Sequence, residues 1–246
     1  MERRYAIFGD VHSNLEALQA VVEDARSEGV TDFVCLGDVV GYNADPRACI
    51  GVVRDELQAV TVRGNHDHYC SNDEYLDDFQ PLAANVIAWT RRQLGEDNIE
   101  WLRQLPLSRI LHASGLTAVH STLDMPDQWG YVFDSFDAEA HFTYQTTPLC
   151  FHGHTHVPMV FAKSSQVVRS DVVAHIKIAF GTKYFINVGS VGQPRDGDPR
   201  SSYAIYRPKT KEVEFRRVEY DVATAAEKVL RAGLPERLAE RLLRGR

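Results

Sequence analysis

Aspartate, histidine and asparagine residues recur directly after short apolar runs between residues 10 and 156. Asp10 and His12 follow the run Tyr5–Phe8, and His120 follows Leu116–Val119. Short apolar runs bounded by glycine are typical of buried parallel strands, whose carboxyl ends meet at one edge of a sheet. We therefore expect these side chains to converge on one site. The complete set is Asp10, His12, Asp38, Asn65, His66, His120, His154 and His156.

Ligands of these types suit transition-metal chemistry. Carboxylates and imidazoles bind Mn, Fe or Zn. A bridging carboxylate can hold two cations roughly 3.5–4 Å apart, the spacing used in two-metal phosphoryl chemistry. The set offers only two metal-ligating carboxylates, Asp10 and Asp38. Two carboxylates do not neutralise two divalent ions, so the site would be net positive and would suit an anionic phosphate.

The composition narrows the class of protein. A chain of 246 residues with 44% hydrophobic content can bury the core of one large α/β domain. The formal net charge of -7 argues against bulk nucleic-acid binding and against an anionic membrane surface. No run is long and apolar enough to span a bilayer, and the start, Met1–Arg4, has no apolar signal region. With four cysteines and no CxxC pair, these features predict a cytoplasmic location.

The elements before residue 116 read as alternating strands and helices. The predicted order is strand Tyr5–Phe8, helix 14–28, strand Phe33–Leu36, helix 46–56 and strand Val60–Arg63. Asn14 is a candidate N-cap of the first helix and Gly29 its stop. This β-α-β-α-β order favours a parallel sheet with right-handed crossovers. The following segment, Glu74–Leu105, has a helical pattern.

Short strands dominate after residue 116. One is predicted over Val172–Phe180, which is also a candidate pairing edge, although the oligomeric state stays open. Gly181-Thr182 and Pro208–Thr210 are typical of hairpin turns. The polar and aromatic stretch Asp124–Thr147 is interpreted as a loop or short helices near the site.

The end of the chain has a helical pattern over Ala223–Arg244, interrupted at Gly233–Pro235. We therefore expect one domain over residues 1–246 with a helical tail from about residue 221 to residue 246.

The order of the motifs resembles the calcineurin-like metallophosphoesterase superfamily. The blocks that carry the resemblance are Gly9–His12, Gly37-Asp38, Gly64–Asp67, His120 and Gly153–His156. Similarity to the small prokaryotic phosphodiesterase-like branch is carried by Ser13–Leu18, Gly41–Asn43 and Asn187–Arg195. The resemblance implies an α/β fold, a four-layer αββα sandwich of two mixed β-sheets flanked by helices. It also implies a dinuclear metal site at the carboxyl ends of the strands.

The resemblance further implies a role for each ligand. Asp10, His12 and His156 would bind the first metal, Asn65, His120 and His154 the second, and Asp38 would bridge them. The two divalent ions would be Mn or Fe, with Zn or Ni also compatible. Hydrolysis would proceed by in-line attack on phosphorus by a metal-bridging hydroxide, with His66 as general acid.

One position departs from the family pattern. Many members carry Gly-Asp-x-x-Asp, in which the second Asp orients the catalytic histidine, and here that position is Gly41. The departure argues against the function of a protein phosphatase. It also leaves unknown which residue orients the His66 ring, with Asp67 and Asp45 as weak candidates.

Two further residues are candidates for substrate binding. Asn14 contacts phosphate or only caps its helix, and Arg195 grips phosphate or braces its loop. The remaining histidines and the cysteines are interpreted as structural.

Several functions fit this pattern. The first is a phosphodiesterase for a small or nucleotide-like phosphodiester. The alternatives are a phosphomonoesterase or protein phosphatase, a dinucleoside polyphosphate hydrolase, and a non-catalytic protein-binding scaffold of the same fold. The intact set of ligands favours an enzyme, because a scaffold would be expected to lose some of them.

Overall fold

Two six-stranded sheets face each other in the computed structural model, which describes residues 2–73, 76 and 81–246. The strands are β1 (Tyr5–Phe8), β2 (Asp32–Cys35), β3 (Val60–Thr61), β4 (Ser108–Leu111), β5 (Leu116–Val119), β6 (Leu149–His152), β7 (Met159–Ser164), β8 (Val167–Asp171), β9 (His175–Lys177), β10 (Thr182–Asn187), β11 (Ser201–Arg207) and β12 (Glu212–Val218). The first sheet has the order β3-β2-β1-β11-β12-β9 and the second β4-β5-β6-β10-β7-β8.

Both sheets are mixed, and each contains a parallel part. Strands β1, β2 and β3 are parallel to one another, as are β5, β6 and β10. The remaining pairs, such as β1 with β11 and β10 with β7, are antiparallel. The parallel parts bring the ends of β1, β2, β3, β5 and β6 to the edge where the predicted ligands follow.

Helices cover the outer face of each sheet. They are α1 (Leu15–Ser27), α2 (Pro46–Gly51, continued by a π-helical turn over Val52–Glu56), α3 (Asn65–Ser71), α4 (Pro81–Leu94), α5 (Glu96–Gln104), α6 (Ser135–Tyr144), α7 (Val222–Arg231) and α8 (Glu236–Arg244). A short 3₁₀ turn spans His112–Ser114. The predicted cap and stop of α1 are confirmed, since Asn14 Oδ1 accepts from Ala17 N and Gly29 is left-handed with φ +70°.

Alternating side chains separate the layers. Along β1, Tyr5 and Ile7 point into the core between the two sheets, whereas Ala6 and Phe8 point towards α1 and its neighbours. A smaller core lies between the second sheet and α6, where Phe142 meets Phe185. Each buried aliphatic or aromatic side chain contributes about 1.5–3 kcal/mol to the free energy of folding. The expected four-layer αββα sandwich is confirmed.

The segment around residue 175 corrects the sequence prediction. Residues 172–180 do not form one strand, because β8 ends at Asp171 on the edge of the second sheet and β9 lies on the edge of the first. The turn at Gly181 therefore connects two sheets and is not a hairpin turn. The turn at Pro208–Thr210 does join the hairpin β11–β12, as predicted.

The remaining expectations for elements have mixed outcomes. The helical pattern over residues 81–105 becomes α4 and α5, while residues 74, 75 and 77–80 of that prediction lie outside the described residues. The stretch Asp124–Thr147 contains one ten-residue helix, α6. Strands β4 and β8 were not predicted. In the part of the chain that the structure describes, no helix combines the length and hydrophobicity needed to cross a membrane.

Candidate metal centre

The loops after β1, β2, β3, β5 and β6 bring the predicted ligands into overlapping clusters. Among the described residues, three groups of side chains are close enough to hold a metal ion. They are Asp10, His12 and His156; His12, Asp38 and His66; and Asp38, His120 and His154. Asp38 belongs to two of them, and its Oδ2 lies 3.5 Å from both His12 Nε2 and His120 Nε2. Asn65 joins the last group, because its Oδ1 lies 3.0 Å from His120 Nε2. All these side chains converge as the sequence predicted.

The histidines are oriented by backbone carbonyl groups. His12 Nδ1 lies 3.1 Å from Val40 O, and His120 Nδ1 lies 2.9 Å from Leu36 O. The corresponding contacts of the other two are His156 Nδ1 with Gln193 O at 2.6 Å and His154 Nε2 with Trp129 O at 2.8 Å. A carbonyl can only accept, so each outer ring nitrogen carries the proton. Each inner nitrogen therefore presents a lone pair to the centre, the tautomer that a metal requires.

These lone pairs face each other at short distances. His12 Nε2 lies 3.1 Å from His156 Nε2, and His120 Nε2 lies 3.1 Å from His154 Nδ1. With both protons committed outward, no hydrogen atom is left to bridge either pair. A cation satisfies both lone pairs at once, so the donor set fits a bound metal ion.

The two carboxylates also need a cation. Burial raises the pKa of Asp10 to about 8 and the pKa of Asp38 well above its ordinary value. Among the described residues, only histidines lie within ion-pair distance of either carboxylate. Burial lowers the pKa of His120 to about 3 and the pKa values of His12 and His156 well below their usual range, so none of these three histidines supplies charge at neutral pH. A divalent ion would compensate the buried carboxylates.

Most of the ligands have left-handed backbone conformations. The φ angles of Asp10, His12, Asp38, His154 and His156 lie between 48° and 68°. In one of these loops, Gly153 lies against the carboxylate of Asp10. A Cβ atom on Gly153 would lie 2.2 Å from Asp10 Oδ2, so a larger residue does not fit there. Left-handed residues other than glycine are uncommon and cluster at functional sites. The loops therefore hold the ligands in conformations that the isolated chain disfavours.

Asp67 braces the loop that carries Asp38. Its Oδ1 accepts from Val39 N at 2.8 Å, and its Oδ2 accepts from Gly64 N at 3.0 Å. Asp38 Oδ1 in turn accepts from His66 N at 2.8 Å. Asp67 therefore links two loops of the site through hydrogen bonds to their backbone. This role was not predicted, although Asp67 was visible as the last residue of the motif Gly64–Asp67.

His66 belongs to one of the clusters, with His12 and Asp38, but among the described residues no carboxylate forms a hydrogen bond with its ring. Its Nδ1 is buried and has no hydrogen-bond partner among the described residues. Both carboxylate oxygens of Asp67 accept backbone hydrogen bonds, and Asp45 pairs with Lys228. Neither of these two predicted partners therefore orients the ring of His66. Tyr42 packs against it with ring centroids 4.4 Å apart. Burial lowers the pKa of His66 to about 3, with the nearby positive charge of Arg195 as the next cause.

Gly41 leaves no room for a side chain beside His66. Its φ is +100°, and a Cβ atom at this position would lie 2.5 Å from His66 Nδ1. Any larger side chain would displace the imidazole or the loop. In this chain, His66 is therefore positioned by packing between Gly41 and Tyr42 and not by a carboxylate.

The two predicted substrate contacts occupy different environments. Asn14 is buried, and besides capping α1 its Nδ2 donates to Gly192 O at 3.0 Å and to Tyr220 Oη at 3.3 Å. Its polar atoms are therefore engaged, and contact with phosphate stays a prediction. Arg195 is half-buried, its Nη2 donates to Gln193 Oε1 at 3.0 Å, and its buried Nε has no hydrogen-bond partner in the part of the chain that the structure describes. Its charge acts on Asp10, Asp38 and His66.

The segment before α6 covers one side of the site. Trp129 orients His154 through its carbonyl, and the Tyr131 ring stacks on the His154 ring at 4.2 Å. Phe133 stacks on Tyr131 with an interplanar angle of 4°. Tyr131 and Phe133 remain 53% and 63% exposed, so they continue the site outward as an aromatic surface. Sequence reasoning placed this stretch near the site but did not single out these residues, because they carry no ligand-type atoms.

Comparisons with known proteins agree with this geometry. The family model described as the calcineurin-like phosphoesterase superfamily domain matches residues 4–211. An uncharacterized protein from Methanocaldococcus jannaschii is 39% identical over 243 residues, which cover 98% of each chain.

Two solved structures extend the comparison. A metallophosphoesterase from Sphaerobacter thermophilus has 40% identity and a TM-score of 0.87, with 100% of each chain covered. A hypothetical protein from Pyrococcus horikoshii has 19% identity and a TM-score of 0.80, with 99% of this chain and 98% of that chain covered. The second similarity concerns the fold alone.

Proposed function

Because this chain belongs to the calcineurin-like phosphoesterase superfamily, whose members are metal-dependent hydrolases of phosphoester bonds, we propose that its substrate is a small or nucleotide-like phosphodiester. The observation that carries the proposal is a pair of ligand groups, Asp10 with His12 and His156 and Asp38 with His120 and His154, which are adjacent because Asp38 Oδ2 lies 3.5 Å from His12 Nε2. Such a pair offers two adjacent positions for divalent ions, and the phosphate of a diester can bind between them.

The residues that would hold the metals follow from the clusters. Asp10, His12 and His156 would hold one ion, Asn65, His120 and His154 the other, and Asp38 would touch both. Mn or Fe best matches this mixture of carboxylate, amide and imidazole, with Zn or Ni as alternatives. When bound, the ions supply an activated water at neutral pH and neutralise charge that develops on the phosphoryl oxygens.

His66 would donate the proton to the leaving oxygen once the negative charge of the bound phosphate raises its pKa, which burial lowers to about 3. Its Nδ1 is buried near Gly41, which leaves Nε2 as the nitrogen that can exchange a proton with the substrate. A positioned acid of this kind contributes about 10²–10⁴-fold to the rate. Arg195 would bind a non-bridging phosphate oxygen through its guanidinium fork. Asn14 would hold the loop of His12 by capping α1.

Two features support a diester over a phosphoprotein. The carboxylate that orients the histidine in protein-phosphatase relatives is replaced by Gly41. The exposed aromatic surface of Tyr131 and Phe133 lies next to His154 and could stack with a base or an aryl group. A cytoplasmic location belongs to the same proposal and is supported by four buried, unpaired cysteines.

The test compares hydrolysis of bis(4-nitrophenyl) phosphate with that of the matching monoester. Metal-stripped protein receives Mn, Fe, Ni, Zn or Mg, and Asp38→Asn is the control. We expect diester turnover that requires a transition metal and is lost in the variant together with bound metal. Preference for the monoester would assign a phosphomonoesterase instead. No turnover with any bound metal would favour the non-catalytic scaffold.

A further inference from the structure

Three arginines lie together on one side of the site. Arg195 follows β10, and its Cζ lies 5.6 Å from the centre of the Tyr42 ring. Tyr42 in turn packs against His66 and His12. Arg237 and Arg241 come from α8, near the end of the chain. The charges of Arg195 and Arg237 both act on Arg241.

The end of α8 is tied to the loop that carries Arg195. Gly197 N donates to Gly245 O at 2.8 Å. Leu238 and Leu242 of α8 lie in the same apolar cluster that Tyr42 contacts. The helix therefore has a fixed position relative to the site, and Arg241 is held at the site's edge.

Among the described residues, no carboxylate lies within ion-pair distance of Arg195, Arg237 or Arg241, although the charge of Arg195 also acts on the site carboxylates Asp10 and Asp38. Arg241 is half-buried, and burial followed by the charges of Arg195 and Arg237 lowers the pKa of its guanidinium. The acids closest in sequence to Arg195 are already engaged, since Asp196 pairs with Arg217 and Asp198 with Arg200. Arginine keeps its charge in proteins, so a bound anion would relieve the repulsion that Arg195 and Arg237 exert on Arg241.

We propose that Arg241, with Arg237 at the rim and with Arg195 shared between it and the scissile phosphodiester, forms a subsite for a second phosphoryl group of the substrate. Two guanidinium forks can bind a phosphate bidentately, and half-burial strengthens such hydrogen bonds. The inference rests on the proposed function for the scissile group, while the subsite itself consists of side chains that do not ligate metal. In this proposal, α8 contributes to substrate specificity.

The first experiment measures anion binding without metal. Full-length protein kept in excess EDTA at low salt is titrated calorimetrically with inorganic pyrophosphate. We expect Arg241→Gln to weaken binding about tenfold, Arg241→Lys to retain most of it, and Arg244→Gln, an exposed arginine of the same helix, to change it by less than about twofold. Thermal unfolding of each variant verifies folding. Equal affinity of the Gln variants, or no binding to the wild type, would overturn the subsite.

The second experiment asks whether the anion belongs to the substrate. Metal-loaded protein hydrolyses the dinucleotide ApA and its 5′-phosphorylated form pApA. We expect kcat/KM to be about tenfold higher for pApA, and this preference to disappear in Arg241→Gln through KM. Pyrophosphate binding without a preference for pApA would mean that the arginines take a free anion, and would reject the substrate role. No turnover of any diester would reject the proposed function while the titration still decides the subsite.

Discussion

At the scale of single residues, the site combines metal-type ligands with unfavourable backbone conformations. Asp10, His12, Asp38, His154 and His156 are all left-handed. Each such residue costs about 1–2 kcal/mol relative to an ordinary conformation. The surrounding hydrogen bonds hold them there, as when Ser190 Oγ donates to Asp10 O at 2.8 Å. The free energy of metal binding would offset this strain, so we expect metal to stabilise the folded chain.

His66→Asn tests a role in proton transfer against a role in metal binding. We expect kcat for the diester to fall by about 10²–10⁴-fold while the bound metal stays unchanged, because the groups Asp10 with His12 and His156, and Asp38 with His120 and His154, are complete without His66. Elemental analysis of the purified variant gives the metal content beside the kinetics. Loss of metal together with activity would show that His66 is a ligand.

Gly41→Ala tests the packing that positions His66. The added Cβ atom would lie 2.5 Å from His66 Nδ1, and the φ of +100° is strained for alanine. We expect the free energy of unfolding to fall by about 1–2 kcal/mol and kcat to fall with it. Gly51→Ala is the matched control, because Gly51 is helical and a Cβ there meets nothing within 4 Å. Equal stability of the two variants in urea unfolding would contradict the steric argument.

At the scale of secondary-structure elements, the sequence predicts those features that depend on periodicity or on neighbouring residues. The ligand-bearing ends of β1, β2, β3, β5 and β6 were predictable, because apolar runs followed by polar residues mark strands that end at the same edge. The failure at residues 172–180 has a different cause. This stretch alternates like one strand, but periodicity does not specify a pairing partner, and the chain crosses between sheets there. The contact between the Trp129 carbonyl and His154 could not be predicted for a similar reason. Every residue has a backbone carbonyl, and the sequence does not indicate which one will face the site.

The segment before α6 gives a prediction at this scale. Tyr131→Ala should raise KM for an aryl or nucleotide diester about tenfold and leave KM for dimethyl phosphate unchanged, because stacking on an aromatic ring contributes about 1–3 kcal/mol. Phe136→Ala is the control, since Phe136 is 87% exposed on α6 and has no ring partner among the described residues. An equal change for both substrates would indicate that Tyr131 only supports His154.

At the scale of the whole molecule, an ion-pair network joins the outer helix layer to the first sheet. Arg216 of β12 donates to both carboxylate oxygens of Asp24 in α1, at 3.0 Å and 2.8 Å. Tyr203 of β11 donates to Asp24 Oδ2 at 2.6 Å. The two charged side chains are only 25% and 22% exposed. The network therefore holds α1, whose N-cap lies beside the metal centre, against the sheet.

The same network gives the stability of the fold a defined pH dependence. Burial alone would raise the pKa of Asp24, but hydrogen bonds from Arg216 and Tyr203 outweigh it and lower the pKa below its ordinary value. A depressed carboxyl pKa contributes stability that is complete above the unfolded-state pKa of about 3.9 and is lost as the pH falls through the folded-state pKa. Protonation of Asp24 thus weakens the link between the layers in acid.

Asp24→Asn tests this link in metal-stripped protein, where metal release cannot contribute to the pH dependence. We expect the variant to lose about 1–2 kcal/mol of the free energy of unfolding at pH 7, because two charge-assisted contacts are weakened, and the difference from wild type to shrink below pH 4. Glu56→Gln is the control, since its pair with Arg26 has side chains 49% and 55% exposed and should change stability by less than about 0.5 kcal/mol. Urea unfolding from pH 7 to pH 3 measures all three proteins. A constant difference across this range would mean that Asp24 stabilises the fold through packing and not through its charge.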